Sequence, residues 1–275
     1  MAELIQDPWL SQRLADRAVI QRAESVLYPA IRAAVAEYLA EVRREVLHTT
    51  TASAHTFAPR GPDLNGFPDD SFWYRLVNGR IRPASRRLFD QAWLRISAAR
   101  DRMGGRSEDH GEGLAHRLAA FPRNVYERIR TGLAEGMARG ESPDQLRARV
   151  AALATLEEWD GQVMTMTRTE TMTALNAGAF QGALTEQQRT GEKWVKRWQA
   201  THDQRVRHTH KDADGQLRPL TKNFRVGESQ LQFPGDPRGT PEEVINCRCS
   251  ARYGPADDPS LTAAALATHP PRRTP

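Results

Sequence analysis

Cysteine is nearly absent from this 275-residue chain: there are two, Cys247 and Cys249, and they share one Cys-x-Cys. A disulfide between them would close a tiny, strained ring, so both are expected to be reduced thiols in a cytosol-made protein. Long hydrophobic runs are missing as well. No stretch approaches the roughly 18 apolar residues that cross a bilayer, and the first thirty residues carry charges throughout without an apolar signal core, so neither classical secretion nor membrane embedding is expected. A Walker loop, a nucleophile elbow, a paired-carboxylate motif and an internal repeat are likewise not found, which removes the usual sequence signs of hydrolytic chemistry.

What is present begins with size and charge. A chain of 275 residues with 39% hydrophobic content has room for modest cores in two or more domains. Its net charge of +5 and pI near 9.5 favour contact with a polyanion. The charge is uneven: Arg75, Arg80, Arg82, Arg86, Arg87, Arg95, Arg100, Arg102 and Arg106 face two acids, Asp90 and Asp101, in the same stretch. The plainer reading is a solvated helix face. The sharper one is a phosphate-facing surface using Arg80, Arg82, Arg86, Arg87 and Arg95, and sequence-independent because no base-reading motif accompanies it.

Apolar residues recur at three-to-four spacing through Leu10, Leu14 and Ala18, then Leu27, Ile31, Val35, Tyr38/Leu39, Val42 and Val46, which predicts amphipathic helix with a break or kink at Pro29. From Thr49 to Asp70 the period is lost among prolines and glycines, predicting a long loop. Helix is predicted again around Leu88/Phe89, Ala92/Trp93 and Ile96, then a Gly-rich linker from 104 to 113. Val125, Ile129, Leu133 and Met137 step along a helix stopped at Gly140, Ser142-Pro143 caps the next, and a last long helix runs from about Gly161 to Arg189, although its six threonines weaken it. Beyond Gly191 the period becomes two: Trp194, Lys196 and Trp198 share one strand face, Val195 and Arg197 the other, and Asp214-Gly215 turns the chain before Leu217. The tail from Gly254 reads as disordered.

Both cysteines and two of the eight histidines fall in the block from Asp203 to Cys249. On an extended strand His208 and His210 would point the same way, as would Cys247 and Cys249, making a His2Cys2 set suited to zinc that closes a loop of 36 residues. The preferred account is a buried cysteine pair packed on Trp194 or Trp198, with His210 hydrogen-bonded to Asp203 or a backbone carbonyl and no cofactor. Asp203, Arg205 and Arg207 are expected to form a carboxylate-guanidinium network that fixes the hairpin. A hydrolytic centre with His210 as general base and arginines holding phosphate is the enzymatic alternative.

Arg168-Thr169-Glu170, Asn176-Ala177-Gly178, Trp198, Asp203-x-Arg205-x-Arg207-x-x-His210, Asp214-Gly215, Phe224, Pro234-Gly235-Asp236 and Asn246-Cys247-Arg248-Cys249 resemble, in order and spacing, the signature of the phage Mu F-like head morphogenesis proteins over roughly residues 140 to 252. Many members carry His-Pro before the Asn-Cys, where this chain has Val244-Ile245, and His208 is an extra histidine. The resemblance implies a non-enzymatic minor head (capsid) protein of a tailed phage or prophage. Such a protein is made in the host cytoplasm, lies inside the virion head near the portal, and acts in head morphogenesis and DNA packaging or delivery. Its implied partners are the portal protein, scaffold or major capsid protein, with packaged DNA met without sequence preference and no membrane. A metal-dependent nuclease is the alternative.

The expected class is therefore α+β: a mainly helical N-terminal region (1–103), a linker (104–113), a small α+β module with short strands and a hairpin (114–252), and a disordered tail (253–275). Arg168, Glu170, Asn176, Trp198, Asp203, Arg205, Arg207, His210, Asp214, Gly215, Asn246, Cys247 and Cys249 are its structurally decisive residues.

Overall fold

A computed structural model describes residues 8–52, 67–68, 70–97, 110–111 and 113–261. Most of the loop expected over Thr49–Asp70, nearly all of the linker, Arg100, Arg102, Arg106 and the tail beyond 261 lie outside the described residues. The expected α+β class is found: the regular elements among the described residues are helices up to residue 190, and short antiparallel strands follow. No described helix is long and apolar enough to cross a membrane.

Packing divides the chain differently from its linear order. The described residues of Met1–Leu27, Ala84–Glu112 and Thr165–Pro275 form one compact unit, and those of Tyr28–Pro83 and Gly113–Met164 form another. Both boundaries in the first hundred residues fall inside helices, α1 (Pro8–Ala52) and α3 (Arg82–Ile96), so composition had no linker there to mark them. Pro29 sits inside α1 and does not end it. Proline forfeits one backbone bond, but Leu27, Ile31, Val35, Tyr38, Leu39, Val42 and Val46 are all buried at the spacing read from sequence, and burial of such a stripe outweighs one bond.

The unit formed by Tyr28–Pro83 and Gly113–Met164 is helical. It holds α2 (Asp70–Leu76), a π-turn over Val77–Ile81, α4 (Leu114–Arg117), α5 (Ala120–Ala138) and α6 (Pro143–Leu153). Tyr38 centres its core, edge-on to Trp73 at 5.4 Å and to Phe121 at 5.7 Å, and the Trp73 indole N–H donates to the Leu118 carbonyl at 3.0 Å. Gly140 (φ +71) turns the chain after α5, and Ser142 opens α6 in a full capping box with Gln145, with Pro143 at the first helical position.

The other unit is built around the second half of α7 (Leu156–Thr190). This stretch is buried almost all round, and two of its threonines fit that setting because their hydroxyls find backbone partners: Thr173 donates to the Gly235 carbonyl and Thr185 to that of Gln181. On one face Gly178 and Gly182 admit the α3 backbone. The sheet, ordered β2-β1-β5, joins β1 (Trp194–Gln199) antiparallel to β2 (Leu217–Pro219) and β5 (Ser250–Pro255). A hairpin of β3 (Phe224–Val226) and β4 (Ser229–Leu231) lies apart, with α8 (His208–Ala213) and α9 (Pro241–Val244) between strands. β1 is the central strand, so Lys196, Arg197 and Trp198 are all buried and the expected simple alternation is lost. β5 runs through Gly254, and Leu261 beyond it is buried, so the folded chain continues past 252, where the tail was expected to start.

Lys196 is fully buried, its ammonium 4.7 Å and 5.0 Å from the ring centres of Phe180 and Phe224 and donating to the Gln232 carbonyl at 2.7 Å. Burial pulls its pKa down from 10.5 to about 8, with Asp236 opposing. Below about 8 the folded state holds a charge it disfavours. Between 8 and 10.5 it has released a proton the unfolded chain still holds, so this group makes stability rise with pH across that window. The full gain is on the order of 3 kcal/mol. Denaturant midpoints at both ends of the window should show a rise in the wild type that Lys196→Met flattens. An equal rise in the variant would show that Lys196 does not titrate there.

Candidate functional site

The first turn of α8 and the chain after α9 bring three potential ligands together. His210, Cys247 and Cys249 are each no more than 2% exposed, and one donor atom from each lies within 4.8 Å of the others. His210 Nδ1 is 3.3 Å from Cys249 Sγ and 3.7 Å from Cys247 Sγ. Its other nitrogen, Nε2, lies 2.9 Å from Glu243 Oε2, an oxygen that also accepts from the Thr209 hydroxyl at 2.8 Å. With Nε2–H donating to the carboxylate, Nδ1 presents its lone pair to the two sulfurs. The Cys247 thiol is pushed well above its ordinary value, first because it hydrogen-bonds with Cys249 and then by burial. The same bond holds Cys249 well below its ordinary value against burial, with His210 adding to it.

Local sequence explains how the sulfurs converge. Asn246 has φ +58, a left-handed conformation that Asn tolerates better than most residues, and its N–H donates to Thr169 Oγ1 at 3.0 Å. That turn drives both cysteines of the Cys-x-Cys into the core. Asn176 on α7 donates through Nδ2 to the Cys249 carbonyl at 3.0 Å, so two parts of the α7 signature hold the cysteine segment directly. Trp198 forms one wall, edge-on to the His210 ring at 5.7 Å. Gly227 (φ +54) makes room for the Glu243 carboxylate, since a Cβ there would meet Oε1 at 2.5 Å.

The remaining signature residues brace the strand and loop. Asp214 Oδ1 accepts from the Ala200 N–H at 2.8 Å, and Gly215 (φ +77) donates to the Trp198 carbonyl at 3.0 Å. Arg168 pairs with Glu24 at 3.5 Å, and Glu170 is buried. Asp236, in the Pro-Gly-Asp turn, is buried and accepts from the Gln232 and Arg238 N–H groups.

Several expectations are corrected. His208 and His210 do not share a face: residues 208–213 are helical, and two positions on a helix differ by about 200°. His208 is exposed and paired with Asp212 at 3.0 Å, so the His2Cys2 set does not form. Asp203 is not in a network with the Arg205 and Arg207 guanidinia. Its carboxylate pairs with Arg248, whose hydrogen bond holds its pKa down to about 2, while Arg205 reaches it through its backbone N–H and the Arg207 guanidinium donates to the Ile245 carbonyl. His210 bonds neither Asp203 nor a backbone carbonyl, and with both nitrogens engaged in a buried cluster it is not placed to act as a general base on solvent-borne substrate. The arginine segment is not one open row: Arg80 pairs with Glu37, Arg82 and Arg86 are half-buried, and Arg87 and Arg95 are exposed. Sequence reading missed Glu243. Its only signal was an acid four residues before Cys247, where Pro241-Glu242-Glu243 looks like an ordinary helix start.

Among known families, residues 127–252 match the model described as phage Mu protein F like protein. No curated protein and no solved structure matches the chain.

Proposed function

Because this chain carries a phage Mu F-like segment over residues 127–252, we propose that it is a minor head protein of a tailed phage or prophage, held at the portal and acting in head morphogenesis and in DNA packaging or delivery. The family match carries this reading, and the geometry supports a structural role for the signature. Asn176 donates to the Cys249 carbonyl, Asp214 accepts from the Ala200 N–H, Asp203 pairs with Arg248, the Asn246 N–H donates to Thr169 Oγ1, and His210 lies buried edge-on to Trp198. Residues that are locked in this way hold a fold together and do not turn over substrate, so the protein is read as a non-enzymatic virion component inside the head near the portal.

Co-expression of the untagged chain with a tagged portal protein encoded beside it should yield a stable complex of defined ratio. A portal that purifies free of this chain, from cells in which both are soluble, would overturn the portal assignment; scaffold or major capsid protein would then be tested in the same way. DNA cleavage that is abolished by chelation would instead establish the nuclease alternative.

Contact with packaged DNA is proposed through the exposed Arg87 and Arg95. With about two phosphates neutralised, affinity should fall roughly 12-fold between 50 and 200 mM salt and be indifferent to DNA sequence. Fluorescence anisotropy on two unrelated duplexes checks this, and affinity that is flat with salt would remove DNA from the partner list.

A further inference from the structure

The geometry of the buried cluster carries more than the family reading, and we infer that His210, Cys247 and Cys249 bind one zinc ion, with Glu243 orienting the histidine from behind. A tetrahedral zinc takes sulfur at about 2.3 Å and imidazole nitrogen at about 2.0–2.1 Å, which sets the nitrogen-to-sulfur edge of the tetrahedron at about 3.5 Å. The two edges in this protein are 3.3 and 3.7 Å. Both nitrogen-to-sulfur edges therefore already have the length a metal requires, all three donor atoms lie within 4.8 Å of one another, and with Nε2–H given to Glu243 the Nδ1 lone pair is left for the metal.

The second observation is independent of those distances. Metal-bound histidines almost always give their other N–H to a carboxylate or carbonyl, which fixes the tautomer and the ring plane. Glu243 does this at 2.9 Å while buried, is itself steadied by the Thr209 hydroxyl, and has its space kept open by Gly227. A buried acid held against a buried histidine that faces two buried cysteines is an arrangement of three zinc ligands with the support of one of them in place. The chain supplies three ligands, and water completes the fourth corner in the isolated protein.

Binding would close the chain between α8 and the Asn-Cys-Arg-Cys turn, a span whose regular elements are no more than six residues long. A metal there serves as a staple where the hydrophobic core is thin, and it ties the loop to α7 through Asn176. This assignment is independent of where in the virion the protein acts, so it stands or falls apart from the portal experiment.

The test uses the untagged full chain, reduced, loaded with zinc and desalted, with metal quantified by inductively coupled plasma mass spectrometry. The expected result is about one zinc per chain, with a thermal midpoint that drops on chelation and returns with zinc. Cobalt substitution should give thiolate-to-cobalt charge-transfer bands and the visible spectrum of a tetrahedral ion, a readout that needs no variant. His210→Ala, Cys247→Ser and Cys249→Ser should each lose most of the metal. Glu243→Gln should keep it with affinity weakened about 10- to 100-fold. His208→Ala should bind as the wild type does. A folded wild-type chain without zinc or a cobalt-thiolate spectrum would overturn the assignment, as would zinc retained when both cysteines are replaced.

Discussion

Gly178→Ala is expected to destabilise the protein by about 2 kcal/mol, a sizeable share of the margin of an ordinary domain. A Cβ at 178 would lie 2.2 Å from the Phe89 carbonyl oxygen, 2.9 Å from its carbon and 3.1 Å from the Ala92 Cβ. The obstacle is mostly α3 backbone, which cannot rotate away as a side chain can, so α3 has to shift by about 1 Å. That shift unseats Phe89 and Phe180, which are both buried in the same cluster. Overpacking of this kind costs about 1–3 kcal/mol and sometimes more, and the better helix propensity of alanine offsets about 1 kcal/mol of it. Gly161→Ala supplies the control on the same helix. Nothing lies within 4 Å of a Cβ there, so alanine should raise stability by up to about 1 kcal/mol. Urea unfolding of the two variants should therefore move in opposite directions, and a Gly178→Ala protein as stable as the wild type would show that α3 is not seated on that face.

The second large effect is expected at Trp198. The side chain is fully buried among Ala200, Ala213, Phe224, Val226, Leu231 and both cysteines, edge-on to Phe224 at 5.3 Å and to His210 at 5.7 Å. Trp198→Ala should cost about 3–5 kcal/mol, from lost transfer energy and from the cavity left beside the histidine. Trp198→Phe should cost far less, under about 1.5 kcal/mol. It keeps most of the volume and removes an indole N–H that is buried with no hydrogen-bond partner. If both substitutions cost the same, the indole nitrogen contributes something that packing does not explain. Chemical denaturation of the two variants against wild type decides between these outcomes.

Much of this architecture was legible from local pattern. The buried stripe of α1, the N-cap at Ser142, the stop at Gly140, the strand from Trp194 and the turn at Asp214-Gly215 depend on a few neighbouring residues, and each is present where its spacing indicated. The helix is not broken at Pro29, because one missing backbone bond weighs less than the side-chain packing around it. The threonines of α7 looked unfavourable for helix because a propensity scale does not know that Gly235 and Asn246 come close enough to use their hydroxyls.

The candidate site shows the same division more sharply. Sequence alone singled out His210, Cys247 and Cys249, which stand out by the rarity of cysteine and by their grouping in one block. It also determined the α+β class, because helical and strand periods are written in short windows. Tertiary structure alone decided how those residues are used. It put His208 out in solvent and His210 in the core through a six-residue helix, gave Asp203 to Arg248 at a separation of 45 residues, and set Glu243 behind a histidine 33 positions away. It also interleaved the two compact units, which no linear boundary marks. The reason is physical: period, caps and turns are settled by contacts a few residues apart, whereas the partner of a buried charge or ligand is whichever group the packed chain brings within about 3 Å, and that choice is made only when distant segments meet.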